Sequence, residues 1–323
     1  MSKRKLLALA ALASVLLAPS FAEAQAWPTR PITLIVPFPA GGANDIPARQ
    51  LANELALRLG QQVVVDNRSG ANGNIGAAVV AKAEPDGYTF LFSAPGVLTT
   101  NRFMYKNMPF DPDRAFVPVI LLAKSPLIIV ANPRLPVRNL KELIEHAKAN
   151  PGKFNAGIPS AGSQAHLTLE LLAKQSGITM TYVPYRGGVN VNADLLGGQI
   201  DVGINFTPGL VELVNNGSLR GIAVTTTDRS KQFPNVPTVS ELGFPGFESV
   251  AWDSILAPAG TPREIVGKLN AAVNAYLTTD LGRHQLDILD MQPTGGTPDA
   301  LRDYIASEVA KWGPIIKAAG ITM

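Results

Sequence analysis

The sequence predicts an α/β protein of two domains with a cleft between them, each domain a mixed, mostly parallel sheet flanked by helices. Three observations point there. Short apolar runs alternate with helical periodicities in two successive series, the pattern of parallel strands joined by crossing helices. A turn of small residues leads from a strand into a helix once in each series. The length, 323 residues, is that of about two domains.

The first residues stand apart from this pattern. Lys3, Arg4 and Lys5 form a charged head, residues 6–18 are apolar apart from Ser14, and the runs Ala22-Glu23-Ala24 and Ala24-Gln25-Ala26 follow. That is the three-part layout of a secretory signal peptide over residues 1–26, cut after Ala26 or, alternatively, after Ala24. The apolar run is shorter than the roughly 20 residues a membrane-spanning helix needs.

The first series opens with a strand at Ile32–Val36 and a helix at Asp45–Leu59, where Leu51, Leu55 and Leu59 recur every four residues. A strand at Gln62–Asp66 follows. The turn Gly70–Gly76 leads into a helical run to Ala83, Pro85-Asp86-Gly87 marks another turn, and Tyr88–Ser93 is a third strand. Two apolar segments, Val117–Leu122 and Leu127–Ala131, flank Lys124-Ser125-Pro126 as a chain crossing between domains would. The second series places helices at Leu140–Ala149, Leu167–Gln175 and Asn190–Leu196, and strands at Phe154–Ile158, Tyr182–Tyr185, Ile200–Asn205 and Ile222–Thr226.

The tail reads as helices. Thr261-Pro262-Arg263-Glu264 has the form of a capping box, with Thr261 as the cap and Pro262 at the first helical position. Thr297-Pro298 opens the last helix in the same way, and Leu301, Ile305, Val309 and Trp312 mark its buried face. With no linker between the halves, the expected boundaries are 27–123 plus 250–323 for a discontinuous first domain and 124–249 for the second.

Composition excludes several functions. Lys plus Arg number 28 and Asp plus Glu 25, but without residues 1–26 the counts become 25 and 24, a net charge of +1. No basic patch for nucleic acid is indicated. Cysteine is absent, so neither disulfides nor a lipid-modified N-terminal cysteine are available, and the mature chain is expected to be soluble without membrane insertion. Neither a phosphate loop, G-x-x-x-x-G-K-[ST], nor a dinucleotide loop, G-x-G-x-x-G, occurs. Ser160 and Ser163 both lack the G-x-S-x-G frame of a hydrolase elbow. No H-E-x-x-H or calcium loop is present, so no metal, cofactor or catalytic residue is expected.

The chemistry concentrates in the two strand-to-helix turns. "VPFPAGGAND" contains no Lys or Arg. The first N–H groups of a helix lack internal partners, and the helix dipole adds partial positive charge. Gly41 and Gly42 leave the backbone bare, so an anion can approach it, while Asn44 or Asp45 caps the helix. "NAGIPSAGSQAH" repeats the design with Gly157, Ser160, Gly162 and Ser163, the last as N-cap. Two helix N-termini from two domains can then pinch one carboxylate between them, with Gly41, Gly42, Gly162 and Ser163 supplying the amides. His166 stands either as a ligand contact or as a structural bond within its turn. Phe38 and Phe206 are candidate pocket walls and equally candidate core residues. Arg186 is a candidate for a distal acidic group or a solvated arginine.

The segments "WPTRPITLIVPFPAGGANDIPARQLA", "AKAEPDGYTFLF", "YRGGVNVNADLLGGQIDVGI", "FPNVPTVSELGFPGFE" and "APAGTPREIVGKLN", in this order, resemble the Bug-type, TctC-like receptors of tripartite tricarboxylate transporters over essentially the whole mature chain. The resemblance implies a hinged periplasmic-binding-protein fold of the type II kind. It also implies a ligand carboxylate held by backbone N–H groups and water from two loops. Carried onto this chain, the loops run from Pro39 through Ala40 to Asp45, and from Ser160 through Ala161 to His166. Ser93 and Ala94 form a third loop, and Asp201 in "GGQIDVGI" matches an acidic position near the ligand waters. The expectation is therefore a monomeric periplasmic receptor for a small organic carboxylate, transiently partnered by membrane transporter subunits. An exported α/β enzyme acting on a carboxylate, or a ligand sensor, are the alternatives.

Overall fold

The computed structural model describes residues 27–185 and 187–323. The expected leader and Arg186 lie outside the described residues.

The first lobe is built from β1 (Ile32–Val36), α1 (Asp45–Leu59), β2 (Val63–Asn67), α2 (Asn74–Ala81) and β3 (Thr89–Ser93), followed by the short helix α3 (Asn101–Met104). The three strands are parallel in the order β2-β1-β3. A long strand, β4 (Phe116–Ala131), then leaves this lobe for the second. It fuses the two apolar segments expected on either side of Lys124-Ser125-Pro126 into one element, because Pro126 lies in the ladder opposite Val250 without interrupting it.

The second lobe contains α4 (Leu140–Ala149), β5 (Asn155–Ile158), α5 (Gln164–Ser176), β6 (Thr181–Pro184), α6 (Gly188–Gly197), β7 (Val202–Phe206), α7 (Val211–Asn215) and β8 (Arg220–Val224). Strands β7, β5 and β6 are again parallel, and β4 runs antiparallel to β7 and β8. The chain returns through β9 (Val250–Pro258), then α8 (Arg263–Leu277), α9 (Asp280–Ile288), the two-residue β10 (Gln292–Pro293) and α10 (Pro298–Ala319). The main strand path is β2-β1-β3-β9-β4-β7-β5-β6, with β8 and β10 each paired to β4.

Strand β9 was not expected from sequence. Every one of its nine residues is buried, and it pairs antiparallel with β3 on one side and β4 on the other. A strand buried on both faces reads as a continuous apolar run without alternation. "VAWDSILAP" has that form except for Asp253 and Ser254.

The capping expectations divide. Thr297 caps α10 by accepting the Ala300 N–H at 3.1 Å, and Ser163 caps α5. Thr261 does not cap α8. Its hydroxyl bonds back to the Pro258 carbonyl at 2.8 Å, Pro262 takes the cap position, and the helix begins one residue later than expected.

Each lobe has its own buried apolar clusters. Leu34, Leu51, Phe90 and Phe92 pack with α8 residues in the first. Leu127, Phe154, Leu167 and Ile204 pack in the second. Helix α10 belongs to both. Leu301 lies with the first-lobe residues Leu91 and Trp252, whereas Trp312, Ile315 and Ile316 lie in the second-lobe cluster. The apolar stripe of this helix is long enough to face two cores in succession. Among the described residues no helix is long and apolar enough to cross a membrane.

Candidate functional site

The first turn follows β1 into α1. Gly41 has φ +75°, a left-handed conformation that disfavours any side chain. Its N–H donates to Asp45 Oδ2 at 2.8 Å. The same oxygen receives Arg49 Nε at 2.9 Å, and Asn67 Nδ2 donates to Oδ1 at 2.8 Å. Burial alone would push the Asp45 pKa up. The bonds from Arg49, Gly41 and Asn67 outweigh it and hold the carboxyl below the ordinary carboxylate range. The Gly42 N–H turns to the Pro39 carbonyl at 3.2 Å. Asn44 occupies the cap position of α1 with helical backbone angles and makes no side-chain cap. Instead, its amide donates to Asp253 Oδ1 at 2.6 Å.

The second turn follows β5 into α5 with matching geometry. Gly162 has φ +69°, and its N–H donates to His166 Nδ1 at 3.1 Å. In both turns a left-handed glycine therefore gives its N–H to the side chain four residues ahead. Ser163 Oγ accepts the His166 N–H at 3.3 Å and donates to the Ser160 carbonyl at 2.7 Å. The Ser163 N–H also turns to the Ser160 carbonyl, at 3.3 Å. His166 is buried, meets Tyr182 edge-on at 4.6 Å between ring centroids, and holds Nε2 3.6 Å from Glu170 Oε1. An Nδ1 that accepts a backbone N–H leaves the ring proton on Nε2. His166 thus makes a structural bond within its turn.

The amides of Gly41, Gly42, Gly162 and Ser163 are all engaged inside their own turns. The N–H groups that find no acceptor among the described residues include those of Ala43 and Asn44 in the first turn, and of Ala161, Gln164 and Ala165 in the second. Gln164 and Ala165 are first-turn amides of α5, which a helix start leaves unpaired, whereas Ala43, Asn44 and Ala161 lie in the turns just before their helices. Pro39, Ala40 and Gly41 are exposed and Gly42 is half-buried. In the second turn Ser160 and Ala161 are half-buried.

One strand brings the two turns together. Gln164 Nε2, at the start of α5, donates to Ser249 Oγ at 3.0 Å. Asn44, at the start of α1, bonds to Asp253. Ser249 and Asp253 are four residues apart in the extended chain entering β9, roughly 13 Å at strand rise. Two helix N-termini from different lobes are thus pinned a short distance apart on one crossing strand.

Ser93 lies beside this anchor, opposite Ser254 in the β3–β9 register. It is fully buried and its hydroxyl turns to the Ala94 carbonyl at 3.1 Å, while Ala94 is half-buried. Phe38 is half-buried against the first-lobe core, and Phe206 is half-buried at the end of β7 against the second. Asp201 is not at the turns. Its carboxylate accepts the Asn155 N–H at 2.8 Å where β5 begins, and the second turn starts where β5 ends, roughly 10 Å of strand away. The acidic group against the first turn is Asp253, which the sequence reading passed over. An aspartate inside an otherwise apolar run was the available signal, since burying a carboxyl is costly unless it is paired or hydrogen-bonded.

A two-lobed α/β fold, crossed by two long strands and presenting paired helix N-termini between its lobes, defines the class of solute-binding receptors. Within that class the chain belongs to the tripartite tricarboxylate transporter receptor family, whose model matches residues 47–321. It is similar to protein BugT of Bordetella pertussis, 38% identical with 92% of each chain covered. Among solved structures it is similar to Rpa4515 of R. palustris with adipate, at 40% identity and a TM-score of 0.83 over 92% of this chain and 99% of that one. It is also similar to MatC of Rhodopseudomonas palustris with bound malate, at 30% identity and a TM-score of 0.78 over 90% and 100%.

Proposed function

We propose that this chain is a periplasmic receptor that captures a small organic carboxylate between its lobes and delivers it to a tripartite tricarboxylate-type membrane transporter. The observation that carries the proposal is the pinning of two helix N-termini to Ser249 and Asp253 of one strand. Their unpaired amides and dipoles favour an anion, and no cationic side chain stands in either turn. The adipate and malate held by two relatives fit the same chemistry.

A receptor fits better than an enzyme. A serine hydrolase needs a histidine nitrogen free to take the nucleophile's proton. Here His166 Nδ1 is occupied by the Gly162 N–H, and Nε2 faces Glu170. Adipate and malate titrated in a calorimeter, with chromatography of the recovered solute, test both points. At least one is expected to bind and to be recovered unchanged. Turnover would make the chain an enzyme, and silence from both would remove the carboxylate reading.

Export is the other half of the proposal. Intact mass of protein taken from the periplasm should correspond to a chain beginning at Trp27 or Gln25. A periplasmic species that keeps Lys3–Lys5 would place the protein on the membrane instead.

A further inference from the structure

Asp253 is 4% exposed, at the middle of a strand whose every residue is buried. Its neighbours in chain, Trp252 and Ser254, belong to the opposite face of the sheet. Asp253 shares the face of Ile255, toward α1. One oxygen takes the Asn44 amide, and the other makes no hydrogen bond among the described residues.

Among the described residues no cation is paired with this carboxyl. From α1, Asp45 and Arg49 come nearest in sequence, but they are joined to each other at 2.9 Å. From β4, Ala123 stands opposite, and the adjacent Lys124 pairs with Glu248 at 3.6 Å and lies over the Tyr304 ring. Strand β3 and helix α2 carry no charged residue. Burial therefore sets the behaviour of the group, pushing its pKa up to about 7 against the single opposing bond from Asn44.

The first turn thus offers an arriving anion two unlike neighbours: unpaired amides at Ala43 and Asn44, and a buried carboxyl bonded to the same Asn44. Two unneutralised carboxylates cannot share such a site at hydrogen-bond range, whereas a carboxylic acid and a carboxylate can. We propose that Asp253 is a specificity-determining residue of the cleft, which in the loaded receptor stands as the neutral acid and donates its O–H to a carboxylate oxygen of the ligand, so that capture of an anion takes up one proton from solvent. The proposal rests on the carboxylate reading above. It predicts a preference for anionic acceptors at this end of the cleft over ligands that present only hydrogen-bond donors.

The test is calorimetric titration of adipate and of malate between about pH 6.5 and 8.5, where both probes are essentially fully ionised. Wild-type affinity should fall with rising pH, approaching tenfold per unit once Asp253 is ionised in the free receptor. Repeating the titration near pH 8 in buffers of different ionisation heat should count up to one proton taken up per ligand. Asp253→Asn keeps a donor but has no proton to gain. Whatever its absolute affinity, it should lose both the slope and the uptake, and its melting temperature reports that it folds. Binding with no pH slope and no uptake in the wild type overturns the proposal while leaving the carboxylate receptor standing. The same slope in wild type and variant overturns it as well. Absence of binding at every pH overturns the carboxylate reading and the proposal together.

Discussion

Replacing adipate or malate, whichever binds, by its diamide is expected to weaken binding by at least about 2 kcal/mol, near thirtyfold. Hydrogen bonds to a charged acceptor contribute about 1.5–3 kcal/mol each, against roughly 1 kcal/mol for neutral pairs. The donors available to the ligand are the unpaired amides of Ala43 and Asn44 in one turn and of Ala161, Gln164 and Ala165 in the other. All sit at or just before helix starts, where the dipole also favours negative charge. A carboxamide removes the charge and brings donors of its own toward groups that need an acceptor. Competition calorimetry of acid against diamide measures the difference directly. Equal affinities would mean that the turns are structural and that the cleft does not select for charge.

Trp312→Ala should lower the unfolding free energy by about 3–5 kcal/mol, the range for truncating a large buried aromatic. Trp312 is fully buried in the second-lobe cluster beside Ile315 and Ile316, although α10 begins in the first lobe. Its indole N–H also donates to Glu308 Oε2 at 2.9 Å, and Glu308 is itself buried. Truncation therefore leaves a cavity and a carboxylate whose remaining cationic partner is Lys311 at 3.7 Å. Trp312→Phe keeps most of the volume and loses the bond, so it should cost less, about 1–3 kcal/mol. Urea unfolding of the three proteins resolves the order. If Trp312→Ala loses under about 1 kcal/mol, the helix is not seated in the second core as described.

Much of this architecture was legible in the chain, and the exceptions share causes. Helix α1 and strands β1 and β3 stand out because apolar periodicity and bounding glycines agree there. The α5 cap was visible because Ser163 precedes a periodic run, and its hydroxyl does accept a first-turn N–H. Strand β9 was hidden because burial on both faces erases alternation. Thr261 looked like a cap because spacing does not say which way a hydroxyl will turn. The two turns were recognisable as strand-to-helix turns with bare glycine backbone, but their bonding was not. Which amides remain unpaired depends on Asp45 and His166 folding back onto Gly41 and Gly162, contacts that local pattern does not encode. Asp201 drew notice through its motif, whereas Asp253 was hidden inside an apolar run. Only the register of the strands tells which acid lies at the turn end of the sheet.

The place of β9 between β3 and β4 also governs when the molecule can form. Phe116 of β4 is the register partner of Pro258, so the first sheet lacks its inner neighbour until the whole second lobe has been synthesised. Contacts between residues so distant in sequence are reached late, because chain entropy must be lost before they return any free energy. A nascent chain emerging from the N-terminus therefore holds β1, β2 and β3 with an open edge and an incomplete core. If the chain is exported unfolded, as proposed above, this arrangement delays collapse into the finished structure. The same delay leaves a strand edge unpaired until about the last quarter of the chain arrives.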